Sequence, residues 1–459
     1  MTNSLPTSVY ACERYFNARF PGYTLANFYP NELGVLTFEL QPLQTWVICP
    51  KCGLPCTRFH DVRKITIVDW DITVGGRIEL ILPVRRLRCN CGCRRSEPQP
   101  DWIYPENRIT KRLAAWVQVL LGHRITNSDI SEITGVSWNL VKELDKEVLK
   151  THFDNPDISK LKHLAIDEIS IHKGHQYATV FMDLDDKSIV RVVKGKSQDA
   201  IKPVFEELKF KHEKDPIESV SVDMNAGFPK MVKNYLPGCQ LAYDLFHVIQ
   251  IFTRDTLVEA KRFSLNKLRQ ELRGLKKTER TPDVLTRFNT NIKVLSNAQW
   301  LVVSNQDNLK PSARDRLFEL REHNQLFADL YPLAEMLRAV WRADTKEHAR
   351  GLLQEVCDLC SAIAQEHEFE TIKKFGKMLR KRAEGIINAC DVRYGTNMLE
   401  GANNTAKVIK RLGYGYRDFE YFALKLKAAF PGKRRQLEGK MQGFQVVYKG
   451  LVETLAFPQ

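Results

Sequence analysis

The sequence predicts an α+β chain of several domains, with a mixed five-stranded sheet followed by a long run of helices. Three observations carry this expectation. Short alternating segments such as GVLTFEL and RIELILPVRRLRC surround a cysteine cluster in residues 1–100. Between about 160 and 248 the pattern reads β-β-β-α-β-α-β. From about 249 to 390 helical periodicity persists with few Gly or Pro. The chain divides accordingly into residues 1–100, β-rich; 101–155, helical; 156–250, sheet-forming; 251–389, all-helical; and 390–459, with two further helices.

In the sheet-forming stretch, LKHLAID reads as a short buried strand, and QYATVFMDL and SIVRVVKG as strands joined by the turn Asp185-Asp186-Lys187-Ser188. DAIKPVFEELKF is an amphipathic helix, SVSVD a strand, FPKMVKNYL a helix and CQLAY a strand. The first and fourth strands can lie side by side and run the same way. Helices are expected from about Met398 to Lys410 and from about Asp418 to Phe430.

The composition narrows the class. Lys and Arg number 69 against 55 acids among 459 residues, a formal charge of +14. That excess suits a polyanionic partner. No apolar run reaches spanning length and no signal peptide is read, so a soluble, cytoplasmic protein without a membrane partner is expected.

Six of the 11 cysteines lie between positions 49 and 93. Cys49 and Cys52 in VICPKCG have the spacing of a zinc knuckle, and RCNCGC supplies a second pair. Cys89 is the third expected ligand. Cys93 is the preferred fourth, with Cys91 as its alternative and Cys56 as a further one. Structural Zn2+ would hold a small β-domain that cannot bury enough core alone.

TNSDISEITGVSWNLVKELDKEVLK reads as a helix-turn-helix. Gly135 supplies the turn and Ser137 caps the second helix. Ile130, Ile133, Val136, Val141 and Leu144 are spaced to pack the two helices together. Ser137, Asn139, Lys142 and Lys146 then form the face offered to double-stranded DNA.

LAIDEIS, residues 164–170, runs an apolar strand into Asp167 and Glu168. Asp223 ends SVSVD in the same way. If the first and fourth strands are neighbours, Asp167 and Asp223 meet, and two close carboxylates repel unless a cation lies between them. Mg2+, or Mn2+ in its place, is the natural solution. Glu400 in NMLEGANNTAKVIK is the third candidate acid, with Asn404, Lys407 and Arg411 along the same helix face; Lys407 and Arg411 would reach DNA phosphates. Asp244 and His247, one turn on, either support the site or cap a helix. Strand alternation sends Glu168 to the opposite face. Basic stretches at 261–277 and 373–382 suit phosphates, while Trp300 and Trp341 are expected to pack in the core.

HLAIDEISIHKGHQYATVFMDL, SVSVDMNAGFPKMVKNYLPGCQLAYDLFHV and LEGANNTAKVIKRLGYGYRDFEYFALKLKAAF together resemble the DDE transposases of bacterial insertion sequences, most nearly the ISL-three group. The cysteine-rich start and the helix-turn-helix extend the resemblance over most of the chain. It implies an RNase H-like catalytic core made of 156–250 and 390–459, interrupted by the helical insertion 251–389. It assigns the catalytic acids to Asp167, Asp223 and Glu400, with two metal ions per active site, and matches Asp244 and His247 to the family's Asp-x-x-His segment. It also implies binding to terminal inverted repeats and target DNA, a homodimer on paired ends and a place at the nucleoid. A DNA-binding regulator derived from such an enzyme, or a nuclease of the same fold, would share many of these features.

Overall fold

A computed structural model describes residue 16 and residues 18–433 apart from 72–75, 124, 173–175, 225–226, 297–300, 302–308, 392–396 and 414. For His172, Leu245, Phe246 and residues 397–400 only the backbone is described. The chain forms two compact units. One takes in the described residues up to 155 together with 412–413, the other the described residues of 156–411 and 415–433.

The first unit is built on a four-stranded sheet in the order β1-β2-β6-β5, from β1 (Tyr23–Pro30), β2 (Leu36–Pro42), β5 (Phe59–Asp71) and β6 (Gly76–Leu87). In β6, Ile78, Leu80 and Leu82 alternate with less buried residues and pack on Ile67, Leu40 and Phe20. That period of two gives the sheet one apolar face. The two-residue strands β3 (Val47–Ile48) and β4 (Pro55–Cys56) close the first cysteine turn. Three helices follow: α1 (Lys111–Gly122), α2 (Asn127–Thr134) and α3 (Trp138–Phe153). Buried Asp69 on β5 anchors α1. It accepts from the hydroxyl of Thr110, the N-cap of α1, at 2.5 Å, and it also pairs with Arg112.

The second unit has a five-stranded mixed sheet in the order β11-β10-β7-β8-β9. Its strands are β7 (His163–His172), β8 (Gln176–Asp183), β9 (Ser188–Lys194), β10 (Ser219–Val222) and β11 (Gln240–Tyr243). β7 to β9 form an antiparallel meander, while β10 and β11 join β7 in parallel across α4 (Gln198–Lys211) and α5 (Gly227–Tyr235). The first and fourth strands are neighbours, as their pattern predicts. Asp183 accepts from the amides of Asp185 (2.8 Å) and Asp186 (3.1 Å), so these acids build the β8–β9 turn.

Both faces of this sheet are covered. Leu164 and Ile166 enter one core with Phe205 and Phe228, while Ala165, Ile169 and Ile171 enter a second with Ala402, Ala406 and Phe422. The second core lies under α14 (Asn397–Leu412) and α15 (Phe419–Ala429).

The helical stretch begins with α6 (Leu245–Ile251), a π-helical turn (Phe252–Leu257) and α7 (Val258–Gly274). It continues through α8 (Pro282–Ser296), α9 (Pro311–His323), α10 (Gln325–Arg342), α11 (Lys346–Glu366), α12 (Glu370–Lys381) and α13 (Ala383–Asn388). These helices share the first core with the sheet. α13 sits against β11, where a Cβ on Gly385 would come within 2.5 Å of the Tyr243 ring, and Asn388 donates to the Leu241 carbonyl at 3.1 Å. Trp341 packs against this core and donates to the Tyr243 carbonyl at 3.3 Å. Trp300 lies outside the described residues.

Candidate active site and nucleic-acid interface

The register of three parallel strands creates a row of acids. Ile166 pairs with Val222, and Val222 with Tyr243. Asp167, Asp223 and Asp244 are each the next residue along. Ile166 belongs to the first core, so Asp167, the next residue within β7, points toward the opposite face. β10 and β11 stop before their acids, but β7 does not. The expectation that Asp167 ends its strand is therefore corrected: β7 runs to His172 because β8 pairs with it along its length, down to Gln176.

Asp167 is only 9% exposed. Burial pushes its carboxyl above the ordinary carboxylate range, and nearby Asp244 adds to this, while Asn403, the Glu168 amide and His247 work against it. The Glu168 amide donates to Oδ1 at 2.7 Å. Asn403 Nδ2 donates to Oδ2 at 2.6 Å. His247, on the first turn of α6, has Nε2 3.9 Å from Asp244 Oδ2. Asp223 is half-buried and acts electrostatically on Lys196 and Tyr243. Lys196 pairs with Glu168 at 3.0 Å and lies 4.1 Å from the centre of the Tyr177 ring.

Glu400 lies on α14, and its side chain is outside the described residues. The helix itself is well placed. Ala402 and Ala406 are buried on the face that packs against β7, Asn403 reaches Asp167, and Lys410 donates to the Ser170 carbonyl at 2.8 Å. Residues 404, 407 and 411 are all exposed, and Lys407 contacts Asn404 at 3.2 Å. The acid pattern of the sequence does not point to Asn403 or Lys196. Asn403 follows Glu400 by three positions, a spacing that puts both on one side of a helix. Arg382, the last residue of the basic stretch 373–382, instead hydrogen-bonds Tyr243 and donates to the Met224 carbonyl at 3.1 Å.

In the first unit the thiols of Cys49, Cys52, Cys89 and Cys91 all lie within 4.8 Å of one another. Cys49 and Cys91 sulfurs are 3.6 Å apart, and Cys52 and Cys89 3.7 Å. Cys93 is not in this group, which corrects the preferred fourth ligand. Its thiol is buried in a small core with Val47, Cys56 and Leu87, and its carbonyl accepts from the Cys89 amide at 3.2 Å. Cys56 is likewise part of that core, its thiol donating to the Arg58 carbonyl. The overlooked signal is glycine. Gly53 (φ 71°) and Gly92 (φ 82°) each follow the second cysteine of a turn, in the left-handed conformation such a turn requires.

The helical trio has the geometry of a helix-turn-helix. Gly135 ends α2 at φ 69°, and Ser137 Oγ accepts from the Leu140 amide at 3.3 Å, capping α3. Ile130, Val136, Val141 and Leu144 pack together with α1. Ile133 does not: it is 47% exposed, and Thr134 takes the buried position. Ser137, Trp138 and Asn139 are exposed at the start of α3. Lys142 and Lys146 are only partly exposed, because they flank the stripe of Val141, Leu144, Asp145 and Leu149.

Residues 164–426 match a family model described as a transposase, and residues 98–149 match one described as the helix-turn-helix domain of transposase family ISL3. The transposase for insertion sequence element IS1001 of Bordetella parapertussis is 31% identical over 409 residues, covering 89% of this chain and 95% of that protein. The transposase for insertion sequence element IS1557 of Mycobacterium tuberculosis is 21% identical over 413 residues, covering 85% of this chain and 87% of that one. A solved chain of the Drosophila P element transposase strand transfer complex is similar at TM-score 0.36 and 9% identity, over 71% of this chain and 93% of that one. That likeness is too slight to carry an argument.

These matches define a DNA transposase, an enzyme class that cuts and joins DNA. The chain belongs to transposase family ISL3 and carries that family's DNA-binding helix-turn-helix. No helix among the described residues is long and apolar enough to cross a membrane.

Proposed function

We propose that this chain binds the terminal inverted repeats of an insertion sequence, cleaves the DNA backbone and joins the freed 3′-hydroxyl ends to target DNA. The second unit would act as an RNase H-like core with a helical insertion. Asp167, Asp223 and Glu400 would be the catalytic acids, holding two Mg2+ or Mn2+ ions, with Asp244 and His247 supporting them. The carrying observation is the register that brings Asp223, one residue past β10, level with Asp167 on neighbouring parallel β7, with the Glu400 helix tied to Asp167 through Asn403.

The donor set fits divalent cations. A buried carboxylate crowded by Asp244 gains from a positive charge, and the oxygens offered are those hard cations prefer. A pair of such ions supplies an activated water and a stabilised leaving oxygen for phosphodiester cleavage. Asp167, with both oxygens already oriented by hydrogen bonds, would hold the ions together with Asp223 and Glu400. Lys407 and Arg411, exposed beyond Glu400 on its helix, would hold the DNA phosphates in line.

In the first unit, Cys49, Cys52, Cys89 and Cys91 would hold a structural Zn2+ that stiffens the cysteine turns. Ser137, Asn139, Lys142 and Lys146 would face the terminal repeats together with exposed Trp138. A homodimer on paired ends follows from a reaction that must act on both ends of the element.

Asp167→Asn tests the assignment. Cleavage of labelled end DNA should fall by at least about a thousandfold, since the residue would be a central ligand of the cation site, while end binding persists. Cleavage at the wild-type rate would overturn the catalytic reading.

A further inference from the structure

We infer that Asn403 is a positioning residue of the cation site: it fixes the Asp167 carboxylate through Nδ2 and accepts, through Oδ1, from water on the bound cation. This rests on the proposed cation site, because without an ion at Asp167 there is nothing to position.

The amide orientation follows from chemistry. A carboxylate oxygen only accepts, so the 2.6 Å contact to Asp167 Oδ2 must come from the amide nitrogen. Asp167 Oδ1 takes the Glu168 amide at 2.7 Å. Each carboxylate oxygen therefore has one donor and keeps acceptor capacity for a cation. Held at both oxygens, the group cannot rotate away from the row it shares with Asp223 and Asp244.

The other half of the Asn403 amide carries the inference. Its Oδ1 is buried and has no hydrogen-bond partner among the described residues. A buried amide oxygen without a partner carries the full penalty of lost hydration. A hydrogen bond to Asp167 alone would not require an amide, since a serine or lysine also donates. An amide beside a carboxylate supplies a donor and an acceptor together, and water on a cation is a donor. The same residue ties α14, and with it the backbone of Glu400, to β7. A residue that orients a cation ligand typically changes affinity by about 10- to 100-fold when lost.

The purely structural reading is that Asn403 merely docks α14. Ala402, Ala406 and the Lys410 bond to Ser170 already do that. The two readings part in cation affinity. Mn2+ binding to the full-length protein is measured by electron paramagnetic resonance in wild type, Asn403→Ala, the volume-keeping Asn403→Leu, and Asp167→Asn. Melting in EDTA and end-DNA binding are followed in parallel. The inference expects both Asn403 variants to weaken Mn2+ binding by about tenfold or more, with melting and DNA binding near wild type. It is overturned if their Mn2+ affinity stays within about twofold of wild type, or if affinity falls only in step with melting. If Asp167→Asn retains wild-type Mn2+ affinity, the cation site itself is wrong and the Asn403 inference goes with it.

Discussion

Cys91 and Cys93 stand two positions apart, yet only Cys91 brings its thiol to Cys49, Cys52 and Cys89. The difference is local. Gly92 turns the backbone at φ 82°, so the thiol before it faces the cluster, while Cys93 enters the small core beside Leu87. Cys91→Ser should therefore lose bound zinc, and Cys93→Ser should keep about one equivalent per chain, the content of a single closed four-thiolate site. Metal analysis of the purified variants decides this, and equal loss in both would contradict the ligand set. Cysteine spacing alone gave the cluster but not its fourth member, because backbone conformation, not sequence distance, aims a thiol. Asn403 escaped for a related reason. Sequence reading weighs acids as cation ligands, and a neutral amide shows its value only once its partner, 236 positions away, is in place.

At the scale of elements, more was legible. Periodicity located the strands and helices of the second unit, and the β-β-β-α-β pattern put the first strand beside the fourth, as found. What periodicity missed was where β7 ends. An acid inside an apolar run reads as a strand end, yet hydrogen bonding to β8 continues past Asp167. In the helix-turn-helix the spacing misplaces one residue, Ile133, because the buried stripe of α2 continues from Ile130 at i+4, through Thr134, and not at i+3. Gly135 makes the turn that ends α2. A Cβ there would meet the Arg77 guanidinium at 2.5 Å, but a flexible side chain can withdraw. The φ of 69° cannot be relieved so easily, and holding a non-glycine residue there costs about 1–3 kcal/mol. Gly135→Ala should lower the denaturation midpoint in urea accordingly, and a variant as stable as the parent would show that the turn adjusts freely.

Across the whole molecule the charge of +14 must be placed before it explains anything. Part of it lies on α12, where Ile372, Phe375, Gly376 and Leu379 are buried while Lys373, Lys374, Lys377 and Lys381 are exposed. Lys373 pairs with Glu370, which makes the other three the better candidates for a polyanion. Arg382, just beyond, ties this end of the helical stretch to the Met224 carbonyl beside Asp223. If DNA is cut at the acid row, a basic helix face anchored beside it is suited to hold the backbone there. Each phosphate contact adds a slope of about −0.9 to the dependence of log affinity on log salt. Replacing Lys374, Lys377 and Lys381 with alanine should thus weaken end-DNA binding at low salt and reduce the slope by up to about 3. The loss should not depend on the sequence of the repeat, because phosphates carry no sequence information. Titrations at several salt concentrations, with cognate and scrambled ends, measure both quantities. An unchanged slope would place the DNA elsewhere, and a loss confined to the cognate end would mean that α12 reads sequence.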